Sequence, residues 1–549
     1  MADSALTPEQ LATVKEQVFK AIGFREEDGP VVQRPAGPTS ASDTDAEAAL
    51  DTDAFFVLFS GYLVFFMQCG FCMLCAGSVR GKNAKNIILK NLLDACFGAL
   101  GWYLAGYGLA FGEDSNDFLG VSNFALHDVP PSRYHNWLFQ YAFAAAATTI
   151  VSGAVAERTS FVVYLLYALF LTSWVYPIIA HWVWAPTGWL SARFVYKSSL
   201  FNGTGLLDFA GSGVVHLTGG LAGMAGAWIA GPRLGRFDAS GKAREIPGHS
   251  ASLALLGVFI LWFGWYGFNP GSALAIVDSS EIAALAAITT TLSAAAGCIT
   301  TLFISMAISY NATGSIMWDV IGAGNGVLAG LVSITASCAV VRPWAACAIG
   351  VFGGLFYTLS SSVVLHALKV DDPLDAVSIH GGCGMWGLIG AALFADERLV
   401  HMTYPTILND DTSQARRHFG LLVGGNGQLL ASAVVGIVVI VGWVLGHMVP
   451  FFLLMKKMRF MRVDPQQEAE GLDIVHHGGS AYPRELKGSS TDKLTAGSEP
   501  SFNAVQNSKV IRDIMNDVEI MKGQIHRVFA NQAGPVSRDH SEHSVGWSR

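Results

Sequence analysis

Between residues 54 and 455 one apolar stretch follows another with very few charges inside them, while both ends of the chain are polar. A helix crossing a bilayer needs about 20 mainly apolar residues. In hydrocarbon every backbone N–H and C=O must be paired within the protein. A chain with this pattern is confined to a bundle of membrane-spanning helices. Charged residues make up only 14% of the sequence, against roughly 25% in a soluble domain, and the shortfall lies in the middle. The net charge of −8 therefore points to no nucleic-acid or other charged partner.

Breakers and polar punctuation predict eleven spans, near 54–77, 87–111, 137–156, 161–184, 208–231, 250–274, 284–308, 316–340, 344–367, 377–396 and 421–455. Lysine and arginine concentrate in alternate connections, at 80–85, 233–244 and 456–462. By the positive-inside rule the N-terminus lies outside and the C-terminus inside. The chain divides into an acidic extracytoplasmic segment (1–53), a membrane domain (54–455) and a cytoplasmic tail (456–549). In the first, no signal peptide is seen, and Thr7–Gln10 fits a capping box ahead of an amphipathic helix bearing Leu11, Val14, Val18 and Ile22. An outer loop carries the glycosylation pattern Asn202–Thr204.

Two stretches, "DFAGSGVVHLTGGLAG" from Asp208 and "AVSIHGGCGMWGLIGA" from Ala376, place a histidine in glycine-rich apolar sequence. Aligning His216 with His380 also aligns glycines four, seven and ten residues on (Gly220, Gly223 and Gly226 with Gly384, Gly387 and Gly390). Small residues at these spacings let another helix approach closely. The two histidines fall on the fifth and tenth spans, so the unit repeated has five helices. Five is odd, so the second copy is inverted, which is a transporter architecture. A final long helix completes the all-α fold. His216 lies eight residues past Asp208, roughly 12 Å into the membrane at 1.5 Å per residue. Asp208 suits the helix start as an N-cap, with a direct role toward substrate left open.

A histidine in hydrocarbon is more often a core residue bonded to a carbonyl. Two at matching repeat positions favour a pathway, because intramembrane ionisable groups usually face one. Imidazole both donates and accepts hydrogen bonds, so the pair can hold a small polar solute or relay a proton. The cluster Cys69, Cys72 and Cys75 shares a helical face, but with no histidine or carboxylate beside it reads as packing rather than a metal site. No nucleophile–base–acid set marks an enzyme, and no cofactor is expected.

These stretches resemble the ammonium transporter family (Amt/Mep/Rh), on its Amt branch and close to its plant-type group, over about residues 54–482. The likeness rests on "GFCMLCAGSVRGKN", "FQYAFAAAATTIVSGAVAERT", "YPIIAHWVWAPTGWL", "LLDFAGSGVVH", "LWFGWYGFNPGS", "DPLDAVSIHGGCGMWG" and "EGLDIVHHGGSAY" in this order. The resemblance implies that His216 and His380 are paired pore histidines. It implies an outer recruitment site at Phe139, Trp184 and Ser272, with Asp208 at the outer start of the fifth helix. Phe143 and Phe268 would be stacked rings that gate the pore. It further implies ammonium or ammonia as the cargo, a homotrimer or a hetero-trimer with paralogues, and multi-pass residence in the plasma membrane. Two alternatives stay open at this point: an ammonium sensor signalling through its tail, and a Rh-like channel for neutral gas.

In the tail, many plant members carry a threonine where this chain has Val475, which puts that phosphorylation switch in doubt. Serines and threonines at 489–491 are candidate replacements. Ile511, Ile514, Val518, Met521, Ile525 and Val528 keep a heptad spacing, so 509–529 reads either as a short coiled coil or as an amphipathic helix, weakened by Gly523.

Overall fold

The structure, a computed structural model, describes residues 41–113, 115–193, 200, 204–404 and 417–482. The helix expected after Thr7, the Asn202 sequon, the 489–491 cluster and the 509–529 segment lie outside these residues. Among the described residues the protein is helical, with only isolated β-bridges between loops.

The long helices are α1 (Ala41–Ser78), α2 (Gly81–Phe111), α3 (Tyr134–Ala154), α4 (Phe161–Trp184), α5 (Ser212–Ala230), α6 (Ala251–Gly271), α7 (Ser280–Thr313), α8 (Val320–Thr335), α9 (Pro343–Ala367), α10 (Val377–Phe394) and α11 (Gln428–Lys457). Nine of them, all but α3 and α8, are long and apolar enough to cross a membrane, among the described residues. The protein is a multi-pass membrane protein. The alanine-rich α3 is buried over most of its length, and α8 is short and enclosed.

Of the boundaries that differ from the expected spans, three have a backbone reason. The fifth span begins at Ser212, not 208, because Phe209 and Ala210 run unwound and donate their N–H groups to the carbonyls of Ala336 and Thr335. The eighth helix accordingly ends at Thr335 rather than 340. The last helix starts at Gln428 instead of 421, after Gly424 and Gly427 take positive φ values of 105° and 80°.

The two histidine-bearing helices, α5 and α10, cross at the centre. A Cβ on Gly220 would overlap the backbone of Gly381, so only glycine permits this approach. The histidine turns themselves, Ser212–Leu217 and Val377–Gly382, are wound as wide π-helical turns. Such turns recur at functional sites.

One end of the bundle is held by charge. Glu157, buried at φ +71°, accepts from the Arg80 backbone N–H (2.7 Å) and its Nε (2.6 Å), with Arg233 Nη1 at 3.5 Å. Arg233 makes a two-pronged pair with Asp371 at 2.8 and 2.9 Å. Burial alone would raise the Asp371 carboxyl, but Arg233 outweighs it and brings the group down to about 2. Loops after α1, α3 and α5 and before α10 thus meet at one end.

The start of the C-terminal tail docks there too. Asp473 accepts from the backbone N–H groups of Lys85 (3.0 Å) and Asn86 (2.9 Å), and Glu468 accepts from the Leu234 N–H (2.7 Å) and Arg462. The Asn86 amide meets His477 Nε2 at 3.0 Å, and Lys82 Nζ caps the Glu468 carbonyl at 2.8 Å.

Candidate functional site: a ring-walled passage ending at two histidines

At the opposite end, the start of α5 is organised by Asp208. Its carboxylate accepts from the N–H groups of Gly211 (3.1 Å), Gly213 and Val214 (both 2.9 Å). Free N–H groups at a helix start carry partial positive charge, so the carboxylate stabilises the turn that presents His216. Gly211 closes that turn at φ +110°, where a side chain would strike Val215 and Trp184. The Asp208 carbonyl accepts from Trp184 Nε1 at 2.8 Å. Asp208 is therefore bonded as a cap and holds the indole, while its carboxylate faces the helix start.

Beside this turn lies a cavity of about 230 Å³, walled by Phe139, Phe143, Trp184 and Ser272, with Phe111, Asn136, Gln140, Arg193 and Phe209 among its lining. Five residues singled out in the sequence, Phe139, Phe143, Trp184, Phe268 and Ser272, come together here from α3, α4 and α6. Phe139 and Phe143 share a face of α3, with centroids 4.7 Å apart. The Phe143 ring meets Trp184 edge-on at 5.8 Å. It stacks on Phe268 at 4.0 Å and 29°. Ser272, the C-cap of α6 one turn beyond Phe268, donates its hydroxyl proton to the Phe268 carbonyl at 2.8 Å. The lone pairs of that oxygen remain for a guest.

Below the ring stack stand the histidines. The His216 ring lies 5.4 Å from Phe268 and 5.2 Å from His380, tilted by 23° and 22°. The two Nδ1 atoms are 3.2 Å apart and fully enclosed. One Nδ1 must donate while the other accepts, so a neutral pair in complementary tautomers satisfies the contact. His216 Nε2 is buried without a hydrogen-bond partner. A buried polar atom left unpaired costs about 1–3 kcal/mol, which a passing solute with a donor or lone pair would recover.

The wall also uses residues the sequence reading did not single out. Trp265 stacks under His216 at 5.2 Å and 18°, and its Nε1 donates to Thr335 Oγ1 at 3.0 Å. Phe71 approaches His380 at 6.2 Å. Trp265 sits three residues before Phe268, one helical turn away on the same face, which is the signal that could have found it. Of the clustered cysteines, Cys69 is exposed, Cys72 half-buried and Cys75 buried, and among the described residues no group of histidine, cysteine and carboxylate is set to hold a metal.

A model of the Ammonium Transporter Family matches residues 54–482. The chain is 46% identical to ammonium transporter 1 member 3 of Solanum lycopersicum over 80% of its own length and 95% of the relative's. It is 47% identical to ammonium transporter 1 member 1 of Arabidopsis thaliana, over 75% and 81%. Among solved structures, a sensor Amt protein superposes with a TM-score of 0.68 at 31% identity, covering 78% of this chain and 99% of that one. Candida albicans Mep2 superposes at 0.65 and 28% identity, covering 76% and 87%.

Proposed function

Because this chain belongs to the Ammonium Transporter Family, we propose that it carries ammonium across a membrane, taking the ion at the aromatic cavity and passing ammonia between the two histidines. The observation that carries this reading is the unbroken column from Trp184 through Phe143 and Phe268 to His216 and His380. Ring faces attract a cation by about 2 kcal/mol or more where water is excluded, and Ser272 adds an oxygen acceptor. Beneath them hydrocarbon walls penalise charge. Ammonium therefore gives up a proton to solvent water in the cavity above the Phe143–Phe268 stack, and ammonia slips past the rings to meet the unpaired His216 Nε2. The imidazole pair offers both a donor and an acceptor to the neutral molecule or to the proton that follows it.

The wider reading has all eleven helices crossing, as two inverted five-helix repeats plus α11. The N-terminus lies outside and the tail inside. The protein works in the plasma membrane as a trimer, of like subunits or with paralogues. The positive loops gathered around Glu157 and Asp371 support the orientation. A second reading, an ammonium sensor that signals through its tail, draws on the tail bonded to α2 through Asp473 and His477.

The test is uptake of labelled ammonium by cells expressing the full chain. Saturable uptake whose half-saturating concentration rises about tenfold in W184A supports the site. Correctly delivered protein with no uptake would favour the sensor.

A further inference from the structure

Arg193 is a cation standing at the mouth of a cation pathway. The residue lines the entry cavity and also a neighbouring one of about 340 Å³, shared with Phe209, Asp278, Ser279 and Thr403. Among the described residues it has no carboxylate within ion-pair distance, Asp278 included. Its Nη2 donates a hydrogen bond to the Ser272 carbonyl at 3.3 Å.

Ser272 offers two oxygens near the cavity. The hydroxyl, bonded onward to Phe268, keeps its lone pairs for a guest. The carbonyl would be a second acceptor, and the guanidinium covers it. We propose that Arg193 is a specificity-determining residue of the entry site: by occupying the Ser272 carbonyl, it leaves a guest cation one hydroxyl and aromatic faces, a set that suits ammonium better than potassium. This inference rests on reading the cavity as the recruitment site.

The chemistry follows from how the two ions bond. Ammonium has four directed N–H donors and is held by few acceptors together with ring faces. Potassium has no directed bonds and needs a shell of oxygens to replace its water. Each oxygen uncovered at the mouth therefore helps potassium more than ammonium. The positive charge of Arg193 repels both ions alike, so it cancels in the ratio of their affinities.

That ratio is the measurement. Initial uptake of labelled ammonium into cells expressing the full chain gives the ammonium KM and, with potassium as competitor, its inhibition constant. In R193M and R193L, which have no donor, the ratio of potassium inhibition constant to ammonium KM should fall about tenfold, while R193K, which keeps a donor for the carbonyl, stays near the parent. If both constants fall together with the ratio unchanged, Arg193 acts by charge alone and the proposal is overturned. A lowered maximal uptake with an unchanged ratio overturns it too, as a packing role. Should R193M fail to reach the membrane, R193L reads the same ratio. W184A runs alongside: if it leaves ammonium KM unchanged, the recruitment site itself is misplaced, whereas a raised KM with an unchanged R193M ratio sinks only the role of Arg193.

Discussion

At the scale of single residues, the passage depends on side chains that touch across helices. Phe143 and Phe268 stack at 4.0 Å with almost no exposure, between the cavity and the histidines. Replacing Phe268 with alanine removes the ring facing both Phe143 and His216. Water should then enter below the cavity and ammonium lose its advantage over other small cations, read as inward potassium current in F268A that the parent lacks. Removing a buried phenylalanine also costs about 3–5 kcal/mol of packing, so delivery of the variant to the membrane is checked first. Asp208 is bonded to the helix start rather than lining the cavity. Its carboxylate holds three backbone N–H groups and its carbonyl holds Trp184. Asn is also a good N-cap but keeps only one of the two accepting oxygens, while the backbone carbonyl that holds Trp184 is untouched, so D208N should keep the fold and loosen the turn that presents His216, lowering maximal uptake with ammonium KM near the parent's.

At the scale of elements, the crossing of α5 and α10 is the least forgiving contact. Gly220 meets the Gly381 backbone with no room for a Cβ, so G220L should abolish assembly, seen as loss of monodisperse protein after extraction. The docked tail carries a pH dependence. Burial, chiefly, with Lys90, Lys85 and His476 nearby, pushes His477 down to about 4 from 6.5, against the pull of Asp473. The released tail binds a proton below about 6.5 while the docked one does not, so docking holds at neutral pH and weakens as pH falls toward 4. Protease access to residues 472–477 on inside-out vesicles should rise over that window, and should rise less in H477N.

Much of this scaffold was legible in the sequence, because length and lack of charge locate spans, and the repeated histidine-glycine spacing picks out the two helices that cross. What was not legible was where helices stop. Phe209 and Ala210 look as apolar as their neighbours, and only the free carbonyls at the end of α8 explain why they leave the helix. The aromatic wall was likewise legible through family resemblance rather than chemistry, since 33 phenylalanines give no hint which of them face inward.

At the scale of the whole molecule, the two ends are built differently. One opens to the aromatic cavity, and the other is fastened by Glu157, Asp371 and their arginines. Taking one partner from a buried pair leaves the others uncompensated, at about 3–5 kcal/mol. E157Q should therefore lower the melting temperature of the extracted protein and free the loops after α1 and α5 to proteolysis, without changing ammonium KM in the fraction that folds. Between these ends the account places one central event, the separation of ammonium into ammonia and a proton that meet the histidine pair. It is tested most directly by recording ammonium-evoked current and labelled uptake together in voltage-clamped cells, for the parent and for the double variant H216A/H380A. The account predicts a saturable inward current in the parent that is lost in the double variant. Uptake without current in the parent would contradict charge-coupled passage and make the protein a neutral ammonia channel, and an undiminished current in the double variant would remove the histidines from the pathway.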